Sequence, residues 1–215
     1  MTTIDCISDL HGYQPTLPGG DLLIVAGDLT ARDKPHEYDH FFKWLEYQKY
    51  KKIIYIAGNH DGLIEKNNIH LSTLHDIHYL FDSMTIFEGL KIWGSPWTPT
   101  FLNWHFMKNR GQEIKEKWDL IPDDIDILIT HGPPYGVLDK APLSSRADKF
   151  KHCGCEELRL ALERIKPKLH VFGHIHGEGG KTMLFKHLGP NTICVNASIM
   201  DEDYNPVNQT VRVIL

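Results

Sequence analysis

A chain of 215 residues with 41% hydrophobic and 24% charged side chains is large enough to bury a core without disulfides or a structural metal. Its formal charge of −5 lacks the basic excess of proteins whose main partner is a nucleic-acid backbone, which argues against nucleic acid as a partner. No apolar run approaches the ~20 residues that span a bilayer, and the start, with Asp5 and Asp9 around a short apolar run, is not signal-like; a cytoplasmic protein without a membrane partner is expected.

In chain order, five short β-rich apolar runs at 4–7, 22–26, 53–57, 125–130 and 169–172 have the length of strands. Between the second and third, 35–50 reads as a helix with Phe41, Phe42, Trp44 and Leu45 on its apolar side, and Lys49, Lys51 and Lys52 as a solvated helix end. After the third run, 81–88 and 90–93 read as a hairpin around Gly89. Two more helices are expected at 110–118 and 156–166, the latter with Leu158, Leu162 and Ile165 at helical spacing. The tail adds strand-like segments at 181–187, 192–197 and 211–215, enough for a second sheet packed on the first. Strands alternating with helices indicate an α/β layered fold, and without repeat or linker a single domain over 1–215 is expected.

Four cysteines do not form a zinc framework: Cys6 and Cys194 lie in expected strands, and Cys153-Gly154-Cys155 has no second pair at short spacing, so reduced thiols are expected. The chemistry lies in the residues just past each of the five runs. After the first come Asp9 and His11, after the second Asp28, after the third Asn59 and His60, after the fourth His131, and after the fifth His174 and His176. Ligands of open α/β sheets bind outside the carboxyl ends of the strands, so these eight residues should share one rim. Two carboxylates, four imidazoles and an amide oxygen, with His60 left over, make an N/O donor set for two divalent ions such as manganese, iron or zinc, and a central carboxylate such as Asp28 can bridge them. Glycines beside most of these residues permit sharp strand-to-loop turns.

These motifs, Asp9-Leu10-His11, Gly27-Asp28, Gly58-Asn59-His60-Asp61, His131-Gly132 and Gly173-His174-Ile175-His176, resemble the signature of the calcineurin-like metallophosphoesterase superfamily in the same order. Segments 93–99, 117–122, 130–134 and 167–173 resemble its metallophosphoesterase-domain branch, related to class III cyclic nucleotide phosphodiesterases. The resemblance implies two β-sheets sandwiched between helical layers. It also implies one ion on Asp9, His11, Asp28 and His176, and a second on Asp28, Asn59, His131 and His174.

The expected reaction is hydrolysis of a small phosphodiester, with cyclic nucleotides as the substrate class the resemblance implies, through in-line attack by a water activated between two metal ions. His60 is the expected general acid, since an imidazole titrates near neutral pH, and Asp61 is expected to orient it or to serve as a turn carboxylate. A phosphomonoesterase, a nucleotide pyrophosphatase and a non-catalytic metal-bearing scaffold are the alternatives. His170, inside the fifth run, is expected to make a structural hydrogen bond, and His75 and His78 sit at helical spacing without a third ligand. Trp97, Trp104 and His105 are candidates to stack on a base and Arg110 to meet a phosphate, with core packing an equal reading for the tryptophans.

Overall fold

The computed structural model describes residues 1–67, 76–143, 146–187 and 189–215. The chain begins with strands Thr3–Ile7 (β1) and Gly20–Ala26 (β2), helix Pro35–Glu46 (α1), strand Tyr50–Ile56 (β3), the single turn Gly62–Glu65 (α2) and strand Ile77–Tyr79 (β4). It continues through strands Ser83–Phe87 (β5), Leu90–Ser95 (β6), Thr98–Pro99 (β7) and Met107–Lys108 (β8), helix Gln112–Trp118 (α3) and strand Ile127–Thr130 (β9). Strands Lys140–Leu143 (β10) and Arg146–His152 (β11), helix Glu156–Ile165 (α4) and strand Leu169–Phe172 (β12) come next, and Lys181–Phe185 (β13), Thr192–Asn196 (β14) and Val211–Ile214 (β15) complete it.

One sheet runs β15-β1-β2-β3-β4, with β1 to β4 parallel and β15 antiparallel at its edge. The other runs β13-β14-β12-β9-β6-β5, its four central strands parallel and both edges antiparallel. Period-two alternation gives each central strand two apolar faces, as burial on both sides demands. Ile4, Cys6, Leu22, Ile24, Ile54 and Ile56 of the first sheet meet Ile127, Ile129, Leu169, Val171 and Val195 of the second in one buried cluster between the sheets. Their neighbours Leu23, Val25, Tyr55, Leu128 and Phe172 join the apolar faces of the helices, among them Phe41 and Leu45 of α1, Trp118 of α3 and Leu158 and Leu162 of α4. The result is the expected sandwich of two sheets between helical layers.

Element ends differ from the sequence reading in instructive ways. Helix α1 stops at Glu46, and residues 50–52 pair with β2 instead of extending the helix. The Tyr50 hydroxyl donates to Asp5 at 2.5 Å, and Lys51 pairs with Asp21 at 2.7 Å, so what looked like a helix end is the start of β3. The hairpin of β5 and β6 turns on Glu88 and Gly89, both with left-handed φ (47° and 81°), the geometry that matches strand twist. The β10–β11 hairpin had no counterpart in the sequence reading. His75 lies outside the described residues, so its pairing with His78 has no structural account.

Both sheets present the carboxyl ends of their parallel strands at a common rim. Asp9 N donates to Gly27 O at 3.0 Å within the first sheet and Gly173 N to His131 O at 2.9 Å within the second, and the Ser8–Ser198 bridge joins the two. Close approach explains two glycines. At Gly27 (φ +97°) a Cβ would stand 2.6 Å from His131 Nδ1 and 2.7 Å from Ala57 O; at Gly173 it would fall on the Asp9 carboxylate.

Candidate metal centre

The rim residues hold backbone conformations that L side chains adopt at a cost. Asp9 (φ 54°), His11 (44°), Asp28 (53°) and His174 (67°) are all left-handed, a conformation that costs about 1–3 kcal/mol each and persists only where neighbours enforce it. The neighbours are identifiable. His174 N donates to both Asp9 carboxylate oxygens at 3.1 and 2.9 Å, and His60 N donates to Asp28 Oδ1 at 2.8 Å. Each carboxylate is therefore aimed by a backbone amide from a different strand end.

The side chains converge at two foci. His131 Nδ1 lies 2.9 Å from Ala26 O, which can only accept, so Nδ1 carries the ring hydrogen and Nε2 offers a lone pair. That Nε2 faces Asn59 Oδ1 at 3.0 Å and Asp28 Oδ2 at 3.3 Å. His176 repeats the arrangement: Nδ1 sits 3.0 Å from Asp201 O, while Nε2 faces Asp9 Oδ1 at 3.3 Å and His11 Nε2 at 3.3 Å. Electron pairs pointed at one another this closely repel unless a proton or a metal cation lies among them. Backbone carbonyls that fix the ring are the usual outer support of metal-bound histidines.

Electrostatics agree with that need. Burial draws the His131 imidazolium down, but Asp28 and Asp9 outweigh it and lift the group to about 9. Burial opposes ionisation of Asp28, yet His131 and His11 hold it well below the usual carboxylate range. Burial, reinforced by the His131 charge, pushes His174 down to about 3, leaving a neutral imidazole suited to ligation. Among the described residues, three groups have ligand atoms mutually within 4.8 Å: Asp9, His11 and His176; Asp28, His131 and His174; and His11, Asp28 and His60. The first two coincide with the two foci, and Asp28 belongs to two of the three groups. The donor set and its spacing fit divalent ions.

His60 stands at the cavity side of this cluster. Its Nδ1 lies 3.2 Å from Ala31 O, and its ring stacks on Trp104 with centroids 4.3 Å apart. Nε2 is the ring nitrogen left for the cavity. Asp61 does not bond that ring. Its fully buried carboxylate accepts from Leu29 N, Thr30 N, Thr30 Oγ1 and Gly58 N at 2.8–3.1 Å, tying the loop after β2 to the loop after β3. Burial and the charge of Asp28 raise Asp61 to about 7 against those bonds. Asp61 thus positions the backbone that carries Asp28 and His60.

A cavity of about 490 Å³ opens over Asp28, Asn59, His60, His174 and His176. Residues the sequence did not single out, among them Phe101, Lys151, His152 and Tyr204, also line it. Tyr204, left-handed at φ 61°, sets its ring edge-on to those of His11 and His176 at 4.8 and 5.0 Å. The aromatic and basic residues that were candidates for substrate contact divide. Trp104 lines the cavity but packs on His60; Trp97 is buried and donates to Asp82 at 2.9 Å; His105 Nδ1 lies 3.1 Å from Glu65. The Arg110 guanidinium donates to Gly154 O at 2.7 Å and Cys153 O at 2.8 Å and pairs with Glu156, and Arg110 also lines the cavity. His170 Nε2 pairs with Thr130 Oγ1 at 2.8 Å beneath the site. The thiols are free, and Cys155 caps α4 by accepting from Leu158 N and Trp118 Nε1, each at 3.4 Å.

Imidazoles and carboxylates at the ends of parallel strands in two packed sheets define a metallophosphoesterase centre. Residues 2–178 match the calcineurin-like phosphoesterase family, and the chain belongs to it. By family and donor set it is a metal-dependent phosphoesterase. It is 39% identical to "Metallophosphoesterase domain-containing protein 1" of Homo sapiens, over 100% of this chain and 71% of that one. A UPF0046 protein of Caenorhabditis elegans is 36% identical over 94% of this chain and 78% of its own length. Among solved structures, TT1561 of Thermus thermophilus shares the fold, with a TM-score of 0.60, 15% identity, and 93% and 92% of the two chains covered. No helix among the described residues is long and apolar enough to cross a membrane.

Proposed function

We propose that this chain is a phosphodiesterase that hydrolyses small diesters, cyclic nucleotides among them, at a dinuclear centre. The observation that supports it is a pair of foci, each with a histidine Nε2 aimed at carboxylate oxygen by a backbone carbonyl, with Asp28 of one focus 3.7 Å from His11 of the other. Asp9, His11, Asp28 and His176 would hold one divalent ion, and Asp28, Asn59, His131 and His174 the other. When bound, such ions polarise a phosphoryl oxygen and lower the pKa of water.

The chain supplies the remaining functions. Amides of His60 and His174 hold the two carboxylates in place, so the centre need not reorganise as charge develops on the phosphoryl oxygens. His60, its plane fixed by Ala31 O and Trp104, presents Nε2 to the cavity and donates a proton to the departing alkoxide. The cavity, about 490 Å³, suits a nucleotide-sized ester.

The test is turnover by the purified protein with manganese of an aryl phosphodiester, an aryl phosphomonoester and 2′,3′- and 3′,5′-cyclic nucleotides, with and without chelator. Diester turnover that chelator abolishes is expected. Turnover of the monoester alone contradicts the diesterase reading, and silence on every ester with metals present favours a binding scaffold.

A further inference from the structure

The β10–β11 hairpin brings a further imidazole to the cavity, beside those of His60, His174 and His176. His152, the last residue of β11, lines the cavity together with Lys151, and its side chain is 40% exposed. His152 Nδ1 lies 2.6 Å from Oδ1 of Asp139, a carboxylate only 1% exposed. The other oxygen of Asp139 accepts from Gly136 N at 2.9 Å and Gly154 N at 3.0 Å, and its carbonyl accepts from Cys153 N at 2.9 Å. An ionised carboxylate only accepts, so the short contact places the ring hydrogen on Nδ1 and leaves Nε2 as the free nitrogen in the cavity.

The amides of Cys153 and Gly154 already hold the end of the hairpin to Asp139, so the ring is not needed to fasten it, while Oδ1 of the buried carboxylate takes its hydrogen from His152. What the imidazole adds is an oriented acceptor with a fixed tautomer at the edge of a solvent-filled space, the arrangement in which a buried carboxylate aims a histidine at a ligand. A cavity of about 490 Å³ keeps that acceptor within reach of a nucleotide-sized ligand whose phosphate sits at the carboxylate cluster.

We propose that His152, oriented by Asp139, is a specificity-determining residue whose Nε2 accepts a hydrogen bond from a hydroxyl or amino group on the alcohol portion of the ester, as nucleosides carry and simple aryl alcohols do not. The inference rests on the reading that phosphate binds at the strand-end cluster. Asp139 is the positioning residue that sets the ring.

Calorimetric titration of the manganese-loaded protein with a ribonucleoside 5′-monophosphate and, separately, with inorganic phosphate tests it, comparing wild type with His152→Phe and His152→Gln. The expected result is a roughly tenfold weaker nucleotide Kd in His152→Phe with the phosphate Kd within about twofold of wild type, and recovery of most of the loss in His152→Gln, whose amide oxygen still accepts. Should His152→Phe fail to fold, the nucleotide-to-phosphate ratio in Asp139→Asn, with Tm measured alongside, replaces it, and a ratio shifted by about fivefold or more is expected. Equal changes for both ligands, or none for either, overturn the proposal and reduce the pair to a hairpin staple, as does failure of wild type to bind the nucleotide better than phosphate. Selective binding without ester turnover would retain His152 and sink the phosphodiesterase reading. Turnover without selectivity would do the reverse.

Discussion

The two walls of the cavity are built on different principles. On one, Asp28, Asn59 and His174 line the cavity immediately past buried parallel strands, with Asp9 and His131 fully buried beside them, all locked by amides and carbonyls of neighbouring strand ends. On the other, Trp104, His152 and Tyr204 come from loops and a hairpin and are 39–53% exposed, with Trp104 and Tyr204 at those limits. Rigid strand ends hold electron pairs of carboxylate, amide and imidazole face to face, an arrangement that a proton or a metal cation relieves. Loops vary at little cost to the core, so the reaction is written on the first wall and choice of ester on the second.

The largest effect expected from breaking this division is on the first wall. Asp28→Ala removes a carboxylate that belongs to one focus and lies 3.7 Å from His11 of the other, and should lower kcat/KM on an aryl ester on the order of 10³-fold or more, with loss of bound metal by elemental analysis. Wild-type metal content and rate in that variant would show that Asp28 joins nothing. Next, His60→Ala should cost about 10²–10⁴-fold in kcat on esters with poor leaving groups while both ions stay, and less where the leaving group needs no proton. A parallel drop in metal content would instead make His60 a ligand, as its nearness to His11 and Asp28 permits.

On the second wall the consequences shrink. Trp104→Ala removes the ring stacked on His60, and an aromatic pair of this kind is worth about 0.5–1.5 kcal/mol, so kcat should fall about two- to tenfold with metal content intact. A separate effect, on stability and not on rate, belongs to the supporting layer. Burial lowers His170 to about 3, below its unfolded value near 6.5. Its neutral form therefore contributes stability that is fully present above pH ~6.5 and is lost as pH falls toward 3, by at most about 1.4 kcal/mol per pH unit. Thermal unfolding measured from pH ~7 to pH ~4 should show a shallower decline in His170→Gln than in wild type, and parallel curves would contradict that assignment.

Legibility in the sequence divides along the same line. Strand-end residues can be read because a buried parallel strand is a recognisable apolar run, and Asp, Asn or His just beyond it has one direction to face. Asp28 after 22–26 and His131 after 125–130 needed no knowledge of tertiary structure. Asp61 shows the limit: adjacency to His60 left a ring partner and a turn carboxylate as equal readings, and only the bonds to the amides of Leu29, Thr30 and Gly58 decide for the second. Lys51 and Lys52 hid the start of β3, since the ladder to β2 and the Tyr50 bond to Asp5 are contacts between distant segments. Asp139 and His152 lie thirteen residues apart and meet through a hairpin whose strands carry lysines and few apolar residues. No local pattern announces such a pair, and Cys153-Gly154-Cys155 beside it drew attention to thiols, one of which caps a helix.

The central claim is that two cations complete the strand-end wall. Its most direct measurement is a metal titration of chelator-stripped protein, with stoichiometry by elemental analysis and aryl-ester turnover monitored at each addition. Two ions per chain, with turnover near zero without metal and full only as the second site fills, is the predicted result. Full turnover in the stripped protein, or saturation of activity at one ion per chain, would contradict it.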